Sequence, residues 1–175
     1  MNENPIPSHL RHILKGEDVD MSEVIGIIVC TCGSTQFAIH YVGDDSYYLT
    51  DQFITDLEQD GHFFKIVYAH CKSCHLQHLL FDRDYHGYDG FVCGEFDQKL
   101  PRPVAKQWSC DQCGEVSHQI RLRLVPEKIS YLAATDDLDE FAPEDWAEAF
   151  GYIEMRIRCS QCQKSPPIWM GCETM

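Results

Sequence analysis

The chain has 175 residues, of which 44% are hydrophobic and 11% aromatic, enough for one globular domain or two small ones. Its formal net charge of −14 disfavours phosphate backbones and anionic membranes as partners, and no run approaches the roughly 20 apolar residues of a membrane span. The N-terminus lacks the charged start and apolar centre of a secretory signal, so we expect a cytoplasmic protein with reduced thiols.

The first segment, residues 1–20, is predicted to form an N-terminal helix. Within it the stretch PSHLRHILKG places Ser8 as a cap and Gly16 as the end of the helix. The apolar face consists of Leu10, Ile13 and Leu14. We expect this face to pack on the segment that follows.

Eight of the ten cysteines fall into four close pairs along the chain. Reduced thiols in pairs favour metal binding over a disulfide framework. The pairs are Cys30 and Cys32, Cys71 and Cys74, Cys110 and Cys113, and Cys159 and Cys162.

The four pairs bracket two similar stretches of alternating sequence. In each half a pair is followed by a glycine, Gly33 or Gly114, and then by a strand of period two. After an insert, a second alternating strand runs into the second pair. The alternating apolar residues are Phe37, Ile39 and Tyr41 with Phe64, Ile66 and Tyr68, and Ile120, Leu122 and Leu124 with Ile153, Met155 and Ile157. Pairing the two strands as a hairpin gathers four sulfurs at one end, as Zn²⁺ requires at about 2.3 Å.

This arrangement resembles the zinc-ribbon family twice over, across about half of the chain, although the first pair is one residue short of the family's C-x-x-C spacing. We therefore expect two structural Zn²⁺ sites, each with four cysteine ligands. The fold class predicted is mainly β with short helices, a small α+β fold of tandem zinc ribbons formed by internal duplication. The first ribbon spans 21–100 with an insert at 44–61, and the second spans 101–175 with an insert at 126–151.

Other interpretations of the cysteines are weighed against this one. The thiols could be unbound or redox-active, or ligands could be exchanged between the two halves. The stretch CKSCH, which begins at Cys71, has the spacing of a c-type haem attachment, but that chemistry requires export. Cys93 and Cys172 remain outside the pattern, and we interpret them as core thiols or bystanders.

The two inserts account for nearly all of the net negative charge. Residues 44–61 hold six acidic residues and no Lys or Arg, and residues 126–151 hold eight with one Lys. Each insert is predicted to contain a short helix, the first beginning at Thr50 and Asp51, the second at Pro143. The predicted apolar faces are Phe53, Ile54 and Leu57 in the first, and Trp146, Ala149 and Phe150 in the second. The acids either dock a basic protein or form solvated faces.

Two further groups could carry function. Arginines alternate with core residues on the second hairpin, so they share its outward face. Like charges that face one another across a sheet destabilise it unless something pairs with them. The partner is either phosphate or an acidic insert folding back, which we favour. These arginines are Arg121, Arg123, Arg156 and Arg158. The Asp82 to Asp89 turn contains Asp82, Asp84, His86 and Asp89 but has no identifiable nucleophile and base.

From these features we expect a non-enzymatic, zinc-binding protein-interaction module. Small acidic proteins of this kind resemble inhibitors or immunity proteins that neutralise a basic partner protein. The alternative is a nucleic-acid-binding or transcription-associated ribbon that uses the four arginines with Trp108. An enzyme centred on the Asp82 to Asp89 turn is a third hypothesis, and a membrane partner is not expected.

Overall fold

The computed structural model describes residues 4–20, 22–46, 52–93, 101–126 and 147–174. Within these ranges the regular structure is almost entirely β-strand. The strands are β1 (Leu14–Val19), β2 (Val24–Ile28), β3 (Phe37–Val42), β4 (Gln52–Ile54), β5 (Leu57–Gln59), β6 (His62–Phe64), β7 (Ile66–Cys71), β8 (Gln77–Asp82), β9 (Lys106–Gln107), β10 (Ser117–Val125), β11 (Tyr152–Cys159) and β12 (Ile168–Glu173). A 3₁₀ turn at Ser8–Leu10 and a short π-helical turn at Asp89–Cys93 complete the described elements.

Ten strands form one mixed sheet, and seven of them follow the order β4-β12-β11-β10-β3-β7-β8. The long strand β10 pairs with β11 on one side and with both β2 and β3 on the other. Strand β1 extends the sheet beyond β2, and β9 pairs with β3. Strands β5 and β6 form a separate hairpin. Strands from the predicted segments 21–100 and 101–175 therefore share one sheet, while that domain division stays a prediction.

The sheet curls so that β4, at one end of this order, approaches β3. Strand β4 runs parallel to β12. Thr55, which follows β4, exchanges two backbone hydrogen bonds with Asp44, which lies just after β3. With this bridge the strands β3, β10, β11, β12 and β4 form a closed ring around one core. Closure of a sheet removes exposed strand edges. Trp169 of β12 is fully buried there, with its ring centroid 5.8 Å from those of both Tyr41 and Trp108.

The alternating apolar residues occupy the core as expected, with one exception. The predicted positions in β3, β10 and β11 are all buried, because period two places every second side chain on the inner face. In β7 the main core receives Val67, Ala69 and Cys71 instead. Phe64, Ile66 and Tyr68 line a smaller cluster on the opposite face. Lys65 interrupts the strand between β6 and β7. Apolar side chains cover both faces of β7.

The predicted helices are wrong where the structure describes them. The stretch 7–16 forms only the 3₁₀ turn before β1 begins, and Gly16 lies inside that strand. Phe53, Ile54 and Leu57 lie in β4 and β5, so the first insert contributes strands to the fold. The described residues therefore form a mainly β protein, and the predicted α+β class with short helices is wrong.

The predicted second-insert helix lies largely outside the described residues, which resume at Ala147. Among the residues that are described, no helix is long and apolar enough to cross a membrane.

The two cysteine-bearing strand pairs repeat one register. Phe37 of β3 lies opposite Cys71, and His118 of β10 lies opposite Cys159. Phe37 and His118 are also partners across the β3–β10 pair. Each follows the second cysteine of its pair by the same number of residues. The hairpins are thus related by approximate twofold symmetry, which brings the two cysteine-bearing ends close to the line between β3 and β10.

Candidate metal centres

Four cysteines gather at the end of the β3–β7 pair. Cys30 and Cys32 follow β2, and Cys71 ends β7 with Cys74 in the turn beyond it. The Sγ atoms of Cys30 and Cys74 are 3.5 Å apart, as are those of Cys32 and Cys71. All four lie within 4.8 Å of one another. One cysteine of each pair is buried and the other exposed.

The β10–β11 pair ends in a second group of the same kind. The Sγ atoms of Cys110 and Cys162 are 3.5 Å apart, and those of Cys113 and Cys159 are also 3.5 Å apart. These four sulfurs again lie within 4.8 Å of one another. Each group is built from the cysteines of one half of the chain, so the structure brings together the two predicted sets of four.

Both groups have the size that a tetrahedral metal requires. Sulfurs about 2.3 Å from a central Zn²⁺ stand about 3.8 Å apart at the corners of a tetrahedron. The observed separations bracket that value and far exceed the roughly 2.05 Å of a disulfide bond. Two groups of four cysteines that could each hold a metal ion are therefore present.

The backbone of each C-x-x-C turn follows one pattern of hydrogen bonds. The first cysteine's N–H donates to the carbonyl five residues later, and its carbonyl accepts from the N–H four residues later. Both bonds are present at Cys71, Cys110 and Cys159, with donor–acceptor distances from 2.8 to 3.1 Å. These bonds hold the backbone of each turn in the conformation in which its two thiols join the group of four.

The short C-x-C turn keeps the same pattern with one residue fewer. The Cys30 N–H donates to the Ser34 carbonyl, and its own carbonyl accepts from Gly33, both at 2.8 Å. The turn therefore loses one residue without losing either hydrogen bond. Although this pair is one residue short of the C-x-x-C spacing, both of its sulfurs belong to the group of four.

The residue after the second cysteine has a positive φ in all four turns. Gly33 and Gly114 are at 87° and 76°, while His75 and Gln163 are at 63° and 62°. A left-handed backbone turns the following amides back toward the sulfurs, and a residue other than glycine adopts it at a cost of about 1–2 kcal/mol. Sequence reasoning identified the two glycines but missed His75 and Gln163, whose identical place in the repeat was the available signal.

Backbone donors favour the thiolate form at one cysteine of each group. Burial alone would raise the pKa of Cys71, but the N–H groups of Ser73 and Cys74 point at its sulfur and lower the pKa to about 6. At Cys159 burial likewise acts upward, while the N–H groups of Gln161 and Cys162 lower the pKa to about 7. A thiolate is the metal-binding form of cysteine, so Cys71 and Cys159 are the first of their groups to reach it. Although a backbone N–H acts to lower it, the pKa of Cys74 and of Cys113 is raised to about 12 by desolvation and the neighbouring thiols.

Side chains around the groups add further support. The ring of His78, buried in β8, places Nε2 3.3 Å from the Sγ of Cys30. Near the approximate twofold axis, the Gln36 side-chain oxygen accepts from both Ser117 and Ser160. The backbone bond from Lys72 to Gln36 in one half is repeated by that from Ser160 to Ser117 in the other. Hydrogen bonds therefore link the two cysteine-bearing ends.

Three of the four arginines of the second hairpin have carboxylate partners among the described residues. Arg121 donates to Glu17 of β1 at 2.9 Å, and Arg123 pairs with Glu23 just before β2. Arg156 donates to Glu154 at 2.5 Å. The partners in the described residues come from the N-terminal strands and from β11. Most acids of the second insert lie outside the described residues, so the predicted pairing with that insert stays a prediction.

Arg158 and Trp108 complete the predicted arginine surface. Arg158 is exposed and has no ion pair within the described part of the chain. Trp108 lies half-buried against Trp169 and Phe53 in the core. An indole packed in this way stabilises the fold through buried apolar area and has less surface for stacking a base.

The Asp82 to Asp89 turn forms an ion-pair cluster. Asp82 is buried at the end of β8, and Arg102 bonds both to it and to Asp84. Asp84 also accepts from the ring of His62 at 3.0 Å, and Asp82 donates its backbone N–H to His86. The Arg102 guanidinium therefore holds both carboxylates, and no metal group is found here among the described residues.

Cys172 is a buried residue of β12, and burial raises the pKa of its thiol. It lies outside both groups of four, as expected for a core thiol. Cys93 ends the π-helical turn.

No family model, curated protein or solved structure matches the chain.

Proposed function

We propose that the protein is a non-enzymatic module in which two structural zinc ions hold a β scaffold that binds a basic protein. The observation that carries the first part is the convergence of four thiols in each group within 4.8 Å. Four protein ligands leave no open position for a substrate, which is the arrangement of structural zinc. Each group, with its strand pair, would form a ribbon-like unit inside the shared sheet.

Zinc fits these groups better than calcium or magnesium does. Thiolate ligands in a tetrahedral set favour zinc or iron over calcium and magnesium, which prefer oxygen. The backbone donors at Cys71 and Cys159 offset part of the negative charge that four thiolates bring together. The energy of binding would add directly to the stability of the fold, because the unfolded chain does not assemble the ligands.

Charge supports a basic protein as the partner. The formal charge of −14 gives a field that attracts cationic surfaces and speeds their association. Some acids of the first insert are engaged within the molecule, as Asp45 is by Lys106 and Asp56 is by Arg83. Glu58 and Asp60 are exposed and have no ion pair within the described residues. The second insert contains further acids beyond the described ranges.

The test compares binding to proteins from the host at rising salt. Neutralising Asp136 and Asp137 together should weaken capture of a basic partner and flatten its salt dependence. A matched control neutralises Asp18 and Glu173, two exposed acids outside the inserts, and should retain binding. Equal loss in both variants, or capture that ignores salt, would contradict a docking role for the insert.

The nucleic-acid alternative has less support. The net charge repels a polyanion, and glutamates already neutralise Arg121, Arg123 and Arg156. A mobility shift of RNA or DNA at low salt, lost on changing Arg158 to Gln, would favour it over the protein-binding proposal.

A further inference from the structure

A cavity of about 300 Å³ opens on the outer face of the sheet. It lies over strands β2, β10 and β11 and contains none of the cysteines. Its volume is at the lower end of the range for small-ligand sites. The lining residues are Glu23, Ile25, Arg121, Leu122, Arg123, Glu154 and Arg156.

Two of the arginines meet directly across the strands. Arg121 of β10 is the register partner of Arg156 of β11, so two guanidinium groups share one part of the cavity. Like charges in this position destabilise a sheet unless an anion lies between them. Arg121 uses one nitrogen to bond Glu17, and Arg156 uses one to bond Glu154. A guanidinium has five N–H donors, so most donors of this pair remain for a ligand.

A buried carboxylate fixes the cavity's geometry. The Glu154 side chain is only 5% exposed, and its two oxygens contact Arg156 at 2.5 Å and Arg123 at 3.7 Å. Arg123 is held a second time by Glu23. Three arginines and two glutamates line the cavity, and Glu17 on Arg121 balances the third positive charge, so the cavity is locally neutral in a strongly acidic protein.

We propose that this cavity binds a small oxoanion, the phosphate or carboxylate group of a metabolite, between Arg121 and Arg156. Guanidinium groups match the planar and tetrahedral oxygens of these anions with paired hydrogen bonds. A compact anion meets far less repulsion from the chain's net charge than a nucleic-acid strand does. This inference goes beyond the proposed function and does not depend on it.

The experiment is calorimetric titration of the full, zinc-loaded chain with inorganic phosphate, and separately with succinate, against chloride at matched ionic strength. Saturable binding of one anion per chain is expected. Arg156→Gln and Arg121→Gln should each weaken it about tenfold, the loss of a charge-assisted hydrogen bond. Arg121→Gln guards against misfolding, because its partner Glu17 is 45% exposed.

Arg158→Gln is the matched control. It removes the same charge from the same face of β11, outside the cavity lining, and should change affinity less than about twofold. The proposal is overturned if neither anion binds saturably, or if Arg158→Gln weakens binding as much as Arg156→Gln. Binding of a single-stranded oligonucleotide without binding of free phosphate or succinate would also overturn it.

Discussion

Removing Arg102 should be among the most destabilising single changes outside the core and the cysteines. Its guanidinium bonds Asp82, whose side chain is only 3% exposed, and approaches Asp84 at 3.4 Å. Desolvation raises the pKa of Asp82, and Arg102 opposes that rise. Arg102→Met would leave a buried carboxylate without its counter-charge, a change that costs about 3–5 kcal/mol.

The assay is urea unfolding of the zinc-loaded protein at pH 7, followed by tryptophan fluorescence. In an Asp82→Asn background the same Arg102→Met change should cost only about 1 kcal/mol, since the charge of Asp82 is absent and Asp84 keeps its bond to His62. Arg158→Met, at an exposed position, should stay within about 0.5 kcal/mol of wild type. The gap between Arg102→Met and wild type should also narrow as pH falls, because protonation removes the buried charge of Asp82.

A cost below about 1 kcal/mol for Arg102→Met would refute the reasoning, as it would mean that the Asp82 charge is adequately solvated. Equal instability of Arg102→Met in the wild-type and Asp82→Asn backgrounds would refute it too, because packing rather than charge would then explain the loss.

Three further predictions concern the metal groups and the pH response. Cys74→Ser and Cys113→Ser should each lower bound zinc from two ions per chain to one, measured by native mass spectrometry. Burial lowers the pKa of His86 from 6.5 to about 3, so the stability it contributes is complete above pH 6.5 and falls by up to about 1.4 kcal/mol per pH unit below it. His86→Gln should reduce that slope in unfolding curves taken between pH 7 and 4, and the slope that remains belongs to other histidines whose pKa burial lowers, such as His9 and His118. Gln163→Gly should stabilise by about 0.5–1 kcal/mol and Gly114→Ala should destabilise by about 1–2 kcal/mol in urea unfolding, because both positions have a left-handed backbone.

Each of these has an outcome that contradicts it. Loss of both ions from one cysteine variant would mean that the two groups do not bind independently. An unchanged pH slope in His86→Gln would place the titrating group elsewhere. A Cβ at Gly114 meets no neighbouring atom within 4 Å, so the predicted cost of Gly114→Ala comes from the left-handed backbone alone. A Gly114→Ala variant as stable as wild type would show that the turn relaxes to avoid this backbone strain.

The cysteine groups could be predicted because their determinants are local. Spacing sets each turn, and period two sets the strands that carry the turns to one end. Those two patterns predict that the two strands of each half pair, while the register that places Phe37 opposite Cys71 and His118 opposite Cys159 comes from the structure. The left-handed residue His75 escaped because it is not glycine, although its position after Cys74 matches Gly33 after Cys32.

The misassigned helices have determinants far away in the chain. Leu10, Ile13 and Leu14 have helical spacing, but Leu14 pairs with Ile28 once β2 is in place. Strand β4 forms because Ile168 and Met170 of β12 offer it a parallel edge. Such contacts override weak local propensity, and no window of sequence around β4 contains them.

The charged partners on the outer face escaped for the same reason. Alternation correctly placed Arg121 and Arg156 on one face, but nothing near them indicated Glu17, more than a hundred residues away in sequence. The three-dimensional position of β1 beside β2 and β10 was needed to find that partner.

Zinc X-ray absorption spectroscopy with metal quantification, on the chain purified without added metal, tests the central claim most directly. The account predicts two zinc ions per chain, each with four sulfur ligands at about 2.3 Å. Fewer than two ions, or oxygen or nitrogen in the first coordination sphere, would contradict it. A chain mass lower by two hydrogens for each disulfide formed, in a mass spectrum of the same sample, would contradict it too.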